Sequence, residues 1–466
     1  MFQKQSRSRH PLQKGTSRTA TSRRVKIIPK SAVILVCSFF CYGCFEGVAS
    51  PEEPFCPETT VNSSVIAAGA NKDSLFKVNE GEVWGFIDSN GNAIVEPRFK
   101  EVTDFSEGLA AVKSVWDGRW GYIDASGSIV IEPVFNFATP FSEGRAVVTV
   151  DGNQGLIDKS GEYVLPPTFK KITKFSQERA FVLVKDNWQL VDESGRYVTQ
   201  NSFKQVRGFR EGLAVFTGFN DDYDIQGYID REGSISILAG DDFSIDIEGI
   251  GFSYGRAPVY RLRTNLLSIL WGRPSRRVYG LINNAGELII PLKYELIDID
   301  SPCRAITIAN SQYGVIDLEG NVVVQNHYNY IGDFSEGLAL IQRNPGDKYG
   351  YIDGHGRLII EPIQAIRAMP SEFSWSRNFH DGRALFRGTE GRYGYIDKSG
   401  SIVIEPNFDK AYPFKNGLAR FENVDEWGYI DLSGNIVWFS DGPIDESRIL
   451  NRVSKMFILS SVVRNS

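Results

Sequence analysis

Short apolar runs punctuated by Asp, Ser and Gly recur from about residue 75 to residue 440. In Trp120-Gly121-Tyr122-Ile123-Asp124 large side chains alternate with Gly and Ile, a period of two that predicts a strand with differently packed faces. Ser128-Ile129-Val130-Ile131 is β-branched and unbroken, which predicts a strand covered on both faces. Between them lies Asp124-Ala125-Ser126-Gly127. Its Asp carboxylate accepts local backbone N–H groups and its Gly supplies positive φ, so the segment reads as the turn of a hairpin. A third strand precedes this pair, as at Leu109–Val112, Leu213–Phe216 and Leu338–Ile341, and Phe-Ser-Glu-Gly introduces it at 105–108, at 141–144 before Arg145-Ala146-Val147, and at 334–337. Pro97, Pro133, Pro362 and Pro406 follow the second hairpin strand and, lacking an N–H, are expected to end it.

The same frame occurs ten times. An anchor Gly stands at 85, 121, 155, 227, 280, 314, 350, 394 and 428, with Gln189 in its place once. Three residues later comes Asp88, Asp124, Asp158, Asp192, Asp230, Asp317, Asp353, Asp397 or Asp431, with Asn283 the one exception, and three further on a Gly stands every time. Successive anchors are 34 to 53 residues apart, the range that marks repeat architectures. The set Trp-Gly-Tyr-Ile-Asp, then Gly, then Ile-Val-Ile-x-Pro, then Phe-Ser-Glu-Gly-Leu-Ala resembles the WG repeat of bacterial proteins, also called the KWG repeat. That resemblance implies an all-β repeat protein, often exported or surface-associated, with no activity assigned to the repeat and no catalytic residues to carry over.

Residues 75–440 thus read as ten repeats, each a three-stranded antiparallel meander with a linking segment. Three strands are few for a propeller blade of four, and ten units exceed the usual four to eight blades. The expected architecture is an elongated or superhelical stack, with a propeller-like ring as the alternative. Ile449, Leu450, Val453, Met456 and Phe457 have helical spacing, so residues 441–466 are expected to cap the stack with a short amphipathic helix.

Charge divides the chain. Residues 1–30 carry nine cations and no acid, an apolar run follows from Ala32 to Phe45, and Gly47-Val48-Ala49 offers a small-residue cleavage site. Together these predict a signal peptide over 1–49, followed by a linker over 50–74. An alternative is lipid anchoring at Cys44. The exported chain would keep 42 positive and 56 negative residues, a net charge of −14, which disfavours nucleic acid and anionic lipid as partners. It is expected in the periplasm, at the surface or outside the cell, and without a membrane span. Beyond the leader only Cys56 and Cys303 remain, free to pair in an oxidising compartment.

Little in the chain suggests reaction chemistry. The repeated Asp residues could be read as metal ligands or acid–base groups, but each is fixed relative to its turn Gly, with no second carboxylate at constant offset, so turn formation is the better reading. Glu107, Glu143 and Glu336 of Phe-Ser-Glu-Gly are replaced by Asp381 and Asn416 in equivalent places and read as caps. His327, His355 and His380 lack metal-ligand spacing, and no nucleophile elbow, phosphate loop or dinucleotide fingerprint occurs. The sequence therefore predicts no enzyme, cofactor or metal site. Candidate binding loops lie where the repeat is broken: Arg261, Arg263, Trp271, Arg273, Arg276 and Arg277 in the 53-residue step, and Phe373, Trp375 and His380 in the 44-residue step. The expected role is a non-catalytic scaffold for protein or cell-envelope glycan. The alternatives are a glycan-cleaving enzyme with a carboxylate pair between repeats, and a structural spacer.

Overall fold

The computed structural model describes residues 74–440, apart from 221, 250, 264–274, 363–376 and 425. The expected leader, linker and C-terminal helix lie outside the described residues. Nine antiparallel sheets follow in chain order: six with four strands, two with three and one with six. No α-helix occurs among the described residues.

The fourth strand comes from the linking segment between successive units. Glu101–Val102, Phe137–Ala138, Tyr330–Ile331 and Lys410–Ala411 are two-residue strands that open their sheets. Phe137–Ala138 pairs with Thr149 and Val148, one residue after the preceding sheet's last strand has ended at Phe135. One run of chain therefore edges two sheets. At Phe203–Val206 this junction is unbroken: Phe203 pairs with Trp188 on one side and Phe219 on the other. Two sequence units share that six-stranded sheet, so ten frames make nine sheets.

The first and last sheets meet. Phe76, Val78 and Ile87 share a buried cluster with Leu418 and Trp438. The Phe76 ring lies 5.6 Å from that of Tyr429, whose hydroxyl donates to the Lys77 carbonyl at 3.0 Å. Lys415 reaches Asp104 at 3.3 Å. The molecule is a closed β-propeller ring whose ten repeat units form nine hydrogen-bonded sheets among the described residues. This corrects the expected elongated or superhelical stack: the linking segments complete four-stranded blades, and the two ends bury their apolar faces against each other.

Trp120 pairs with Phe135 and Tyr122 with Ile131, so two steps on one strand face four on the other. The excess forms a bulge holding Glu132 and Pro133, and the strand Ile129–Phe135 runs through its proline. Pro97 and Pro406 lie inside their strands in the same way, contrary to the expected stop, because a bulge needs no ladder bond from the proline. The bulge also explains the anchor Gly. A Cβ at Gly121 would lie 2.4 Å from the Ile131 carbonyl oxygen, so no larger residue fits beside the returning backbone.

Leu109–Lys113 and Trp120–Asp124 carry most of the blade's buried side chains. Ile129 and Val130 are 48% and 44% exposed while Ile131 is buried, so this strand is covered on one face only, not on both as expected. The turn Gly performs two tasks. Gly127 has φ +83° and its missing Cβ would meet Val95 of the preceding blade at 2.9 Å. Gly91 of the first blade sits likewise against the Val437 carbonyl of the last.

Candidate functional site

The repeated Asp carboxylates are consumed by their own turns. Asp124 Oδ1 accepts N–H bonds from Ser126 at 2.9 Å and Ser128 at 3.0 Å, and the Ser126 hydroxyl and these amides hold it below the usual carboxylate range. Asn283 does the same with Ala285 at 3.0 Å and Glu287 at 2.9 Å, which is why it can replace Asp: the turn needs an acceptor, not a charge. Among the described residues no group of three or more His, Cys, Asp or Glu is placed to hold a metal ion.

The Glu of Phe-Ser-Glu-Gly caps a turn, but the next blade's rather than its own. Glu107 accepts from the backbone N–H groups of Glu143 and Gly144. Glu143 accepts from Gln177 at 2.7 Å and Glu178 at 2.8 Å, Gln177 from Gly212 at 2.7 Å, and Glu211 from Tyr254 and Gly255. Glu107, Glu143, Gln177 and Glu211 all hold φ between 50° and 54°, strain that the paired N–H groups offset. An open cavity of about 450 Å³ lies along this relay, lined by Glu143, Gln177, Glu178, Gly212 and Arg231. Sequence reasoning found the residue type but not its partner, because the partner lies a whole unit away.

The relay fails at Asp300-Ser301-Pro302-Cys303. Pro302 stands in the Glu place and has neither carboxylate nor N–H. Asp300 stands fourteen residues before its anchor Gly314, as Phe141 stands before Gly155 and Phe414 before Gly428. Those phenylalanines are buried, so a carboxylate occupies a core position. Both its oxygens accept from the Phe334 N–H, at 3.0 and 2.9 Å. Burial pushes its pKa up to about 7, against the lowering effect of that bond, and the nearby Asp333 and Asp298 add to the rise. Only an acid standing where sister units have Phe could have signalled it in the sequence. Cys303 is disulfide-bonded, and all other cysteines lie outside the described residues.

At the first repeat break, Arg256–Arg263 pairs with Arg276–Asn283 as a long ribbon. Arg263 faces Arg276, and Arg261 lies two residues back on the same face; all three are exposed. Arg277, on the other face, donates to Asp246 at 2.7 Å and covers the Tyr260 ring at 4.3 Å. The ribbon thus brings Arg261, Arg263 and Arg276 together and turns Arg277 away. Trp271 and Arg273 lie outside the described residues, as do Phe373 and Trp375 at the second break. His380 is a turn residue there, exchanging backbone bonds with Arg383 and following Phe379, which packs in the core 5.1 Å from Tyr351.

The model of the WG-containing repeat matches residues 84–114, 120–153, 155–188, 279–299, 313–345 and 393–423. The chain carries WG repeats. The matches leave out both repeat breaks and also the frames anchored at Gly227, Gly350 and Gly428. No curated protein matches the chain. Among solved structures, a eukaryotic initiation factor overlaps 80% of this chain and 96% of its own at 10% identity and TM-score 0.40. The dihydro-heme d1 dehydrogenase NirN overlaps 81% and 74% at 15% identity and TM-score 0.30, and the Neurospora crassa Pan2 WD40 domain 65% and 90% at 10% and 0.24. Likenesses this loose do not bear on function. The WG repeats and the propeller ring make the chain a repeat-based scaffold. Among the described residues no helix is long and apolar enough to cross a membrane.

Proposed function

We propose that this WG-repeat ring is an exported, non-catalytic scaffold that binds a protein or a cell-envelope glycan. One observation carries the reading: the repeat's own polar groups are spent on turns and blade contacts, whereas the ribbon at the repeat break of this acidic chain projects arginines that have no ion pair among the described residues. The basic start, the apolar run to Phe45 and the site at Ala49 support export, with Cys44 as the alternative lipid anchor. A mature N-terminus at Ser50, read by mass spectrometry from the secreted or envelope fraction, is the expected result. Capture of a partner from envelope extract, or binding on a glycan array, supports the scaffold; binding in neither assay at physiological salt removes it.

A second reading rests on Asp300. A carboxyl group whose pKa burial raises to about 7, with Asp298 and Asp333 nearby, can hold and release a proton near neutral pH as a general acid does. Glycan hydrolysis by the purified chain that disappears in D300N would replace the scaffold with a glycan-cleaving enzyme.

A further inference from the structure

Resting on the scaffold reading, we propose that Arg261, Arg263 and Arg276 dock an extended acidic peptide segment of a partner protein, which adds as a strand to the bare edge of the ribbon.

The hairpin Leu109–Lys113 with Trp120–Asp124 ends at the pair Lys113 and Trp120. The equivalent pair in the ribbon is Tyr260 and Tyr279, and here the ladder runs three pairs further, to Arg263 opposite Arg276. Neither neighbouring strand follows it. Ser244–Ile245 pairs only as far as Tyr260, and Leu288–Tyr294 only as far as Tyr279. Among the described residues the backbone of Arg261–Arg263 and of Arg276–Val278 therefore has a strand on one side and none on the other, an edge open to strand addition.

The side chains on that extension name the partner's charge. Like charges directly opposite each other destabilise a strand pair, and Arg263 faces Arg276 with Arg261 beside them. None of the three has an ion pair with a described residue. The fold supplies one where it needs to, since Arg277 is matched by Asp246 and stacked on Tyr260. An incoming strand with acids at alternate positions would place carboxylates about 7 Å apart, the spacing of Arg261 and Arg263 on one face. Among the described residues that face carries no aromatic platform for a sugar ring. Tyr260 and Tyr279 lie on the opposite face, packed on each other at 6.0 Å, so the geometry favours peptide over glycan.

The test titrates the full chain with a synthetic peptide of about eight residues alternating Glu and Thr. Its comparators are an isomer with the Glu residues in one block, an alternating peptide N-methylated at every second amide, and a uronic acid oligosaccharide. The expected result is salt-sensitive binding of the alternating peptide, weakened at least about tenfold in the R261Q/R263Q/R276Q variant, with the variant's melting temperature unchanged or higher as repulsion is relieved. Equal binding of the blocked or N-methylated peptide overturns strand addition. Preference for the oligosaccharide overturns the partner class, and absence of peptide binding overturns the proposal as a whole. An envelope partner that the triple variant still captures overturns this inference and leaves the scaffold standing; no partner for either protein overturns the scaffold itself.

Discussion

The Tyr429 hydroxyl donates to the Lys77 carbonyl across 352 residues of sequence. The same tyrosine position bonds forward within the ring, from Tyr122 to the Thr139 carbonyl at 2.8 Å and from Tyr395 to the Tyr412 carbonyl at 2.7 Å. Burial pushes the Tyr429 pKa up to about 12, so the group is a donor throughout the physiological range. Chain closure thus uses the bond that joins neighbouring blades elsewhere.

Y429F should remove that bond while keeping the ring packing on Phe76. Leaving the Lys77 carbonyl without its donor is expected to cost about 1–3 kcal/mol. Amide hydrogen exchange should quicken first in Phe76–Glu80 and in the last blade, whereas Y122F should loosen only its own blade contact. Uniform acceleration across all blades in Y429F would show that the seam has no separate stability.

Two glycine substitutions should part company. In G121A the new Cβ falls 2.4 Å from a backbone oxygen, so the bulge must shift, at a cost expected to exceed 3 kcal/mol, roughly the level of severe core disruption. In G108A the methyl group meets open space and only the φ of +87° is strained, for about 1–2 kcal/mol. Comparable thermal melts for both variants would contradict the bulge explanation of the anchor Gly.

Asp300 should make the ring less stable as pH rises. Its pKa is about 7 in the fold against about 3.9 in an unfolded chain. Between these values the folded state holds a proton that the unfolded state has released, so this group's contribution is greatest below about pH 4 and is lost as pH rises through 7. The turn carboxylates such as Asp124 have lowered pKa values and act oppositely, losing their contribution only as pH falls through the acid range below about 4. Wild-type melting temperature should therefore drop from pH 5 to pH 8, and D300N, which retains an acceptor for Phe334, should flatten the profile. An unchanged slope in D300N would assign the dependence to other groups.

E143A should uncap two N–H groups in the next blade, those of Gln177 and Glu178. A loss of about 1–2 kcal/mol is expected, similar to removing a helix cap, with faster exchange at those two amides. E143Q keeps an acceptor and should recover part of the loss. If exchange instead rises only around Glu143 itself, the cap acts within its own turn.

The hairpin frame was legible in the sequence because it is local: Asp124 and Gly127 shape a four-residue turn and must be adjacent to do so. The fourth strand was not, since Phe137–Ala138 is too short to show a period and is defined by its partners in the next unit. Pro133 misled because a proline stop holds for a regular ladder, and the bulge removes the ladder bond it would have broken. The ring depends on Phe76 meeting Tyr429, a relation no local pattern contains. At the candidate site the arginines were visible as composition, whereas the confrontation of Arg263 with Arg276 is set by register. Asp300 was visible in principle, yet its meaning required knowing that sister positions are core.

Since the seam repeats the tyrosine bond and the glycine contact of internal neighbours, the ring has no architectural first blade. A circular permutant opened at the exposed Trp116 turn, with its present ends joined by a flexible tether, should close into the same propeller. Where translation begins and where the structure begins are independent, and units could be gained or lost at any point of the circle so long as the accumulated curvature still returns the chain to itself.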